Sequence, residues 1–160
     1  MEIVWTQAVL AGVVGVALMT MAMVAGRVMG LSTNMVRAIG LLFVPQKDTR
    51  LVYLVGGAAH LVMGALFGVA YAVLLTLVGA AEVLGAAASW GALFGALHGV
   101  AVGAGMGALP AIHPRMGSGE VLSAPGFFGR NVGVGMPVFV IILHVIYGVV
   151  AAVVYSVGVT

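Results

Sequence analysis

Three of the four histidines, His60, His98 and His144, stand inside long apolar runs, where an imidazole is out of place unless it has work to do. An ionisable side chain at membrane depth marks a candidate functional site. Neutral imidazole is a good ligand for haem iron, copper or zinc. The pair His60 and His144 could supply two axial ligands to a b-type haem. His60, His98 and His144, joined by the thioether of Met19, would instead suit copper. No carboxylate falls at the same depth, which speaks against magnesium, calcium or a di-iron carboxylate centre. The competing reading is that each histidine only bridges two helices, through a hydrogen bond to a carbonyl or hydroxyl.

The facing of these residues follows from helical spacing. Residues four apart lie nearly above one another on a helix. From His60 that row runs Gly64, Gly68, Ala72, Thr76, and backwards to Gly56; from His144 it runs Gly148, Ala152, Ser156. A third segment carries Gly91, Gly95, Gly99, Gly103 and Gly107 in strict four-residue register, with His98 rotated only about 20° from Gly91. Small residues in such rows let helix backbones approach closely in lipid. All eight of the glycines at 64, 68, 91, 95, 99, 103, 107 and 148 are therefore expected at helix–helix faces, with the histidines directed inward. Such faces could pack tightly or leave room for a flat ring. Counted from the basic ends of their segments, the three histidines fall roughly 12–18 Å below one membrane face, in one layer near the midplane. Met19, Thr20, Met21 and Met23 reach a comparable depth on the first segment. Met19 and Met23 share a face that Met21 does not, and methionine is more often apolar filler than ligand.

The elements that must position this layer are membrane spans. The chain is 63% hydrophobic and 6% charged, against roughly 45–50% and about 25% for a soluble domain. A 160-residue globule cannot bury that much apolar surface. Four segments, about residues 3–26, 51–81, 83–109 and 132–159, each exceed the roughly 20 apolar residues a spanning helix needs. All six Lys and Arg lie in two windows: Arg27, Arg37, Lys47 and Arg50, then Arg115 and Arg130. The link between the second and third segments carries only Glu82. The excess of basic residues in cytoplasmic loops then predicts loops 27–50 and 110–131 inside, with both termini outside, as in a prokaryotic cytoplasmic membrane. The first segment lacks a positive leading region and reads as a span rather than a cleaved signal. There is no cysteine, hence no disulfide or thiolate chemistry, and the net charge of +2 gives no reason to expect nucleic acid. The expected partners are the bilayer and either further copies of the chain or a larger membrane complex.

The segments come in two matching halves. His60, Gly64 and Tyr71 are echoed by His144, Gly148 and Tyr155; "RVMG" at 27–30 is echoed by "PRMG" at 114–117, and "AIGLLF" at 38–43 by "APGFFG" at 124–129. The fold class expected is thus an all-α integral membrane protein. It is a single domain over residues 1–160, built of two tandem helix–loop–helix units, about 1–80 and 81–160. Two spans per unit put the pseudo-two-fold axis along the membrane normal. In the first loop, Ser32 or Thr33 is a candidate N-cap for a short interfacial helix ending near Pro45. The second loop, with "VLSAPGFFGRNVGVGMP", is too rich in glycine for a helix and suits an interfacial or re-entrant turn over the bundle mouth. Pro110 and Pro114 are expected to end the third span, leaving His113 and Arg115 solvated at the interface or against lipid headgroups.

Signatures of metalloproteases, serine hydrolases, P-loop enzymes and dinucleotide folds are absent, and Ser89 and Ser156 do not share the histidine layer. "HPRMG", "APGFFGRN" and "HVIYGVVAAVVY", in that order, resemble a family of small four-helix prokaryotic membrane proteins known only as a domain of unknown function. The resemblance covers about residues 90–160 and implies an architecture but no activity. Three classes of function therefore stand open: a haem- or copper-binding anchor, a small-solute transporter or channel, and a structural or assembly partner.

Overall fold

The computed structural model describes residues 2–28, 30–31, 34–45, 48–116 and 122–160. Ser32, Thr33, Lys47, Gly119, and the Met29 and Gly117 of the paired loop motifs lie outside them. The described residues form helices and turns with no strand. Six α-helices are present: α1 Trp5–Val28, α2 Met35–Phe43, α3 Thr49–Leu77, α4 Leu84–Gly105, α5 Leu109–Ile112 and α6 Met136–Val159. The 3₁₀ turn Met106–Ala108 joins α4 to α5, and a second, Phe127–Gly129, precedes α6.

Four stretches are long and apolar enough to cross a membrane: α1, α3, α6, and the 29-residue path Leu84–Ile112 made of α4, the turn and α5. The chain thus has the make-up of a multi-pass integral membrane protein. Pro110 does not stop the third span, as the sequence alone suggested. It sits in the first turn of α5, where the missing N–H has no helical partner to lose. The second span ends earlier than expected, at Leu77, because Gly79 turns the chain with a φ of +69°. Side chains such as Leu54, Leu66, Leu77 and Val138 point outward and are exposed, as lipid-facing positions require.

In the bundle, α6 packs along α4 and α1, and α1 packs along α3; contact between α3 and α4 is sparser and closes the ring. The core is layered along the bundle. Ala8, Ala11, Ala72, Leu75, Ala87, Ala152 and Tyr155 fill the end near the termini. Val16, Tyr71, Tyr147 and Ala151 fill the middle. Met106, Met136 and Val140 fill the basic end.

The basic end carries a cap. α2 lies against the start of α3 through Gly40, which faces Val52 O, and Gly56, which faces Val36 O. Its N-cap is Asn34, whose side chain accepts from Arg37 N at 3.0 Å. Asp48 caps α3 in the same way by accepting from Leu51 N. In the second loop, Phe128 adopts φ +53° between Gly126 and Gly129, both also at positive φ. That left-handed conformation is unusual for a bulky residue and persists only where packing enforces it.

Candidate functional site: the histidine and tyrosine layer

The glycine seams bring the helices together. A Cβ added at Gly12 would strike Gly64 O and the Gly68 backbone; one at Gly64 would strike Val16, and one at Gly68 would strike Ala8 O. On the other side of the bundle, Gly91 faces Gly148 O and Ala152, Gly95 faces His144 O, Gly99 faces Ile141 and His144, and Gly148 faces Gly91 O. Gly103 and Gly107 differ from the expectation of a helix-packing face. They are covered by the rings of Phe128 and Phe127, respectively. The spacing gave their facing, but their partner is the turn Phe127–Gly129.

These seams set the layer. His60 on α3 and His144 on α6 are buried, and His98 on α4 is half-buried. His98 and His144 are in ring contact, with centroids 4.7 Å apart at 67°. His60 lies within electrostatic reach of His144. Each buried histidine is tied locally. His144 Nδ1 donates to Val140 O at 2.7 Å, one turn back on its own helix. Thr20 Oγ1 spends its proton on Val16 O at 2.7 Å, so its oxygen is left to accept from His60 Nδ1 at 3.4 Å.

Aromatic side chains complete the layer. Phe67 stacks on His98 with centroids 4.1 Å apart, and Tyr71 meets Tyr147 edge-on at 5.4 Å. The Tyr71 and His98 rings are 6.3 Å apart. Tyr147 Oη donates to Gly64 O at 2.7 Å and so ties α6 directly to α3. Tyr147 was not singled out by sequence. The signal was present in its spacing, since it follows His144 by one helical turn and shares its face. Three buried polar atoms have no hydrogen-bond partner among the described residues: His98 Nδ1, Tyr71 Oη and, nearer the terminal end, Ser156 Oγ.

The residues do not fit a haem. Two axial ligands from His60 and His144 would need a porphyrin-thick slot between α3 and α6. Tyr147 instead bridges those helices at the adjoining turn, and the glycine faces are filled by neighbouring backbone. The copper arrangement of His60, His98, His144 and Met19 is not assembled either. Among the described residues no three His, Cys, Asp or Glu side chains converge as a metal ion would require. Met19 packs on the Val16, Tyr71, Tyr147 and Ala151 cluster, Met23 is buried and Met21 is exposed.

His113 also departs from expectation. It is buried rather than solvated. Its Nε2 donates to Ala38 O at 3.0 Å, and its Nδ1 accepts from Arg115 N at 3.2 Å. The Arg115 guanidinium donates to Leu41 O, so both side chains clasp carbonyls of α2 instead of meeting headgroups. Comparison with protein-family models, with characterised proteins and with solved structures finds no match to this chain.

Proposed function

We propose that this chain is a small-solute membrane protein of the transporter or channel class, and that the layer around His98 and Tyr71 binds a small hydrogen-bonding molecule at mid-depth. One observation carries the reading. Two buried polar atoms, His98 Nδ1 and Tyr71 Oη, on rings whose centroids are 6.3 Å apart, find no partner among the described residues. Each unsatisfied group costs about 1–3 kcal/mol, and a bundle that only packed would gain by placing phenylalanine or leucine there. A molecule that accepts from the tyrosine and meets the imidazole removes that cost.

The setting we propose is a prokaryotic cytoplasmic membrane with both termini outside, on the strength of the basic loops. We also propose that the two halves arose by duplication. The seams support this. Gly12 opposes Gly64 and Gly68 as Gly91 opposes Gly148 and Ala152. The shift that carries Gly12 onto Gly91 also carries Met19 onto His98. The unpartnered imidazole thus stands where the first unit has a methionine.

A structural or assembly role, alone or as a homo-oligomer, is the second reading, and the closed glycine seams favour it. Tyr71→Phe separates the two by sign. If a bound molecule completes the hydroxyl, thermal unfolding in reconstituted bilayers should show a loss of about 1 kcal/mol or more. Osmotic re-swelling of proteoliposomes in water or glycerol should also fall towards that of protein-free vesicles. If the layer only packs, removing an unpartnered hydroxyl leaves stability equal or higher, and vesicle permeability is the same with and without protein.

A further inference from the structure

At the basic end, two cavities adjoin on the corner where α2 meets α3. One, of about 100 Å³, is lined by Arg37, Leu41, Thr49, Val52 and Tyr53. The other, of about 450 Å³, is an open groove along Thr49, Arg50, Tyr53 and Leu54. They share Thr49 and Tyr53 in their linings and differ in character. The small chamber has the volume of about three water molecules, each taking roughly 30 Å³. It has a guanidinium, a hydroxyl and a phenol on its walls. The groove is bordered by Tyr53 and by Leu54, one of the most exposed leucines.

We infer that this corner is a seat for an anionic phospholipid, with the phosphate held at Arg50, Thr49 and Tyr53 and an acyl chain lying along Tyr53 and Leu54. Charge complementarity selects the occupant. Arg37 lines the small cavity and Arg50 lines the apolar groove, both at the basic end of the bundle. Guanidinium groups favour phosphate through paired N–H donors. Tyr53 is held for the task. Asn34 Nδ2 donates to its hydroxyl oxygen at 2.6 Å, which leaves the phenol's own proton for an outside acceptor. Asp48 is the acidic neighbour; its carboxylate accepts from Leu51 N at 2.9 Å at the start of α3. His113 and Arg115 take no part, because they are committed to α2 carbonyls.

The test uses the full chain in detergent micelles, with phosphatidylglycerol, phosphatidylcholine or inorganic phosphate added back. Binding is read by native mass spectrometry and by the shift in unfolding temperature. Phosphatidylglycerol should bind at least tenfold more tightly than phosphatidylcholine. Arg50→Gln should weaken phosphatidylglycerol about tenfold, and Tyr53→Phe several-fold. Both substituted positions are exposed, so the fold tolerates the change. Arg130→Gln, an exposed arginine in the other loop, should leave affinity as in the parent. Equal binding of the two lipids would overturn the inference. So would an Arg130→Gln loss as large as that of Arg50→Gln, which would mean unlocalised surface charge. Equal stabilisation by inorganic phosphate would show a free-anion site and also reject a lipid seat.

Discussion

His113 uses both ring nitrogens in opposite senses, donating from Nε2 and accepting at Nδ1, so a single neutral tautomer satisfies Ala38 O and Arg115 N together. Arg115 then places a positive charge at the C-terminal end of α2, where the helix dipole favours it. The pair acts as a clasp between two loops that are far apart in sequence. His113→Ala should therefore cost about 1–3 kcal/mol, read from unfolding in mixed micelles. Were the imidazole solvated, the change would stay within about 0.5 kcal/mol. Nothing in "IHPRMG" announces this clasp, because its partners are backbone carbonyls and any sequence could present them. The inward facing of His60, His98 and His144 is legible for the opposite reason. It depends on helical periodicity, which is local. The ring contact between His98 and His144, and the choice between room for a cofactor and close packing, depend on how near the helices approach. That distance is a tertiary quantity.

At the scale of elements, the glycine rows are not interchangeable, although they read alike in sequence. Gly91 faces the backbone oxygen of Gly148, which cannot turn aside as a side chain can. Gly57 sits on the same helix as Gly56 but has nothing within 4 Å of an added Cβ. Gly91→Ala should therefore force α4 from α6 and lower stability by 2 kcal/mol or more, as overpacking typically costs about 1–3 kcal/mol. Gly57→Ala should be neutral or stabilising by up to about 1 kcal/mol, since alanine is the better helix former. Equal effects at the two sites, measured by SDS-induced unfolding in bicelles, would mean that the seam between α4 and α6 is looser than these contacts require. The same physics applies to Gly103 and Gly107, which face the rings of Phe128 and Phe127. Period gives the face a residue occupies. It cannot say whether a helix or the turn around Phe128 covers that face, since the turn depends on left-handed backbone at Gly126, Phe128 and Gly129.

For the whole molecule, orientation in the bilayer links every functional claim. The four spans force the loop after α1 and the loop before α6 onto one side, and the link near Glu82 onto the other. Under the orientation proposed above, the side carrying Arg27, Arg37, Arg50, Arg115 and Arg130 is the cytoplasmic one. In that orientation the corner formed by α2 and α3 meets the cytoplasmic leaflet, where anionic lipids and basic residues attract. The midplane layer is then reached from outside only past the alanine-rich core and Tyr155, whose hydroxyl faces Val4 N at 3.4 Å. The chain contains no cysteine, so single introduced thiols report without background. Ser123 and Glu82 are exposed and lie on opposite faces. Glu82→Cys should react with a membrane-impermeant maleimide on intact cells, and Ser123→Cys should react only after the membrane is opened. The reverse pattern would invert the molecule and turn the basic corner towards the outer leaflet. Labelling of both positions in intact cells would require a different number of crossings, and the histidines would then no longer share one depth.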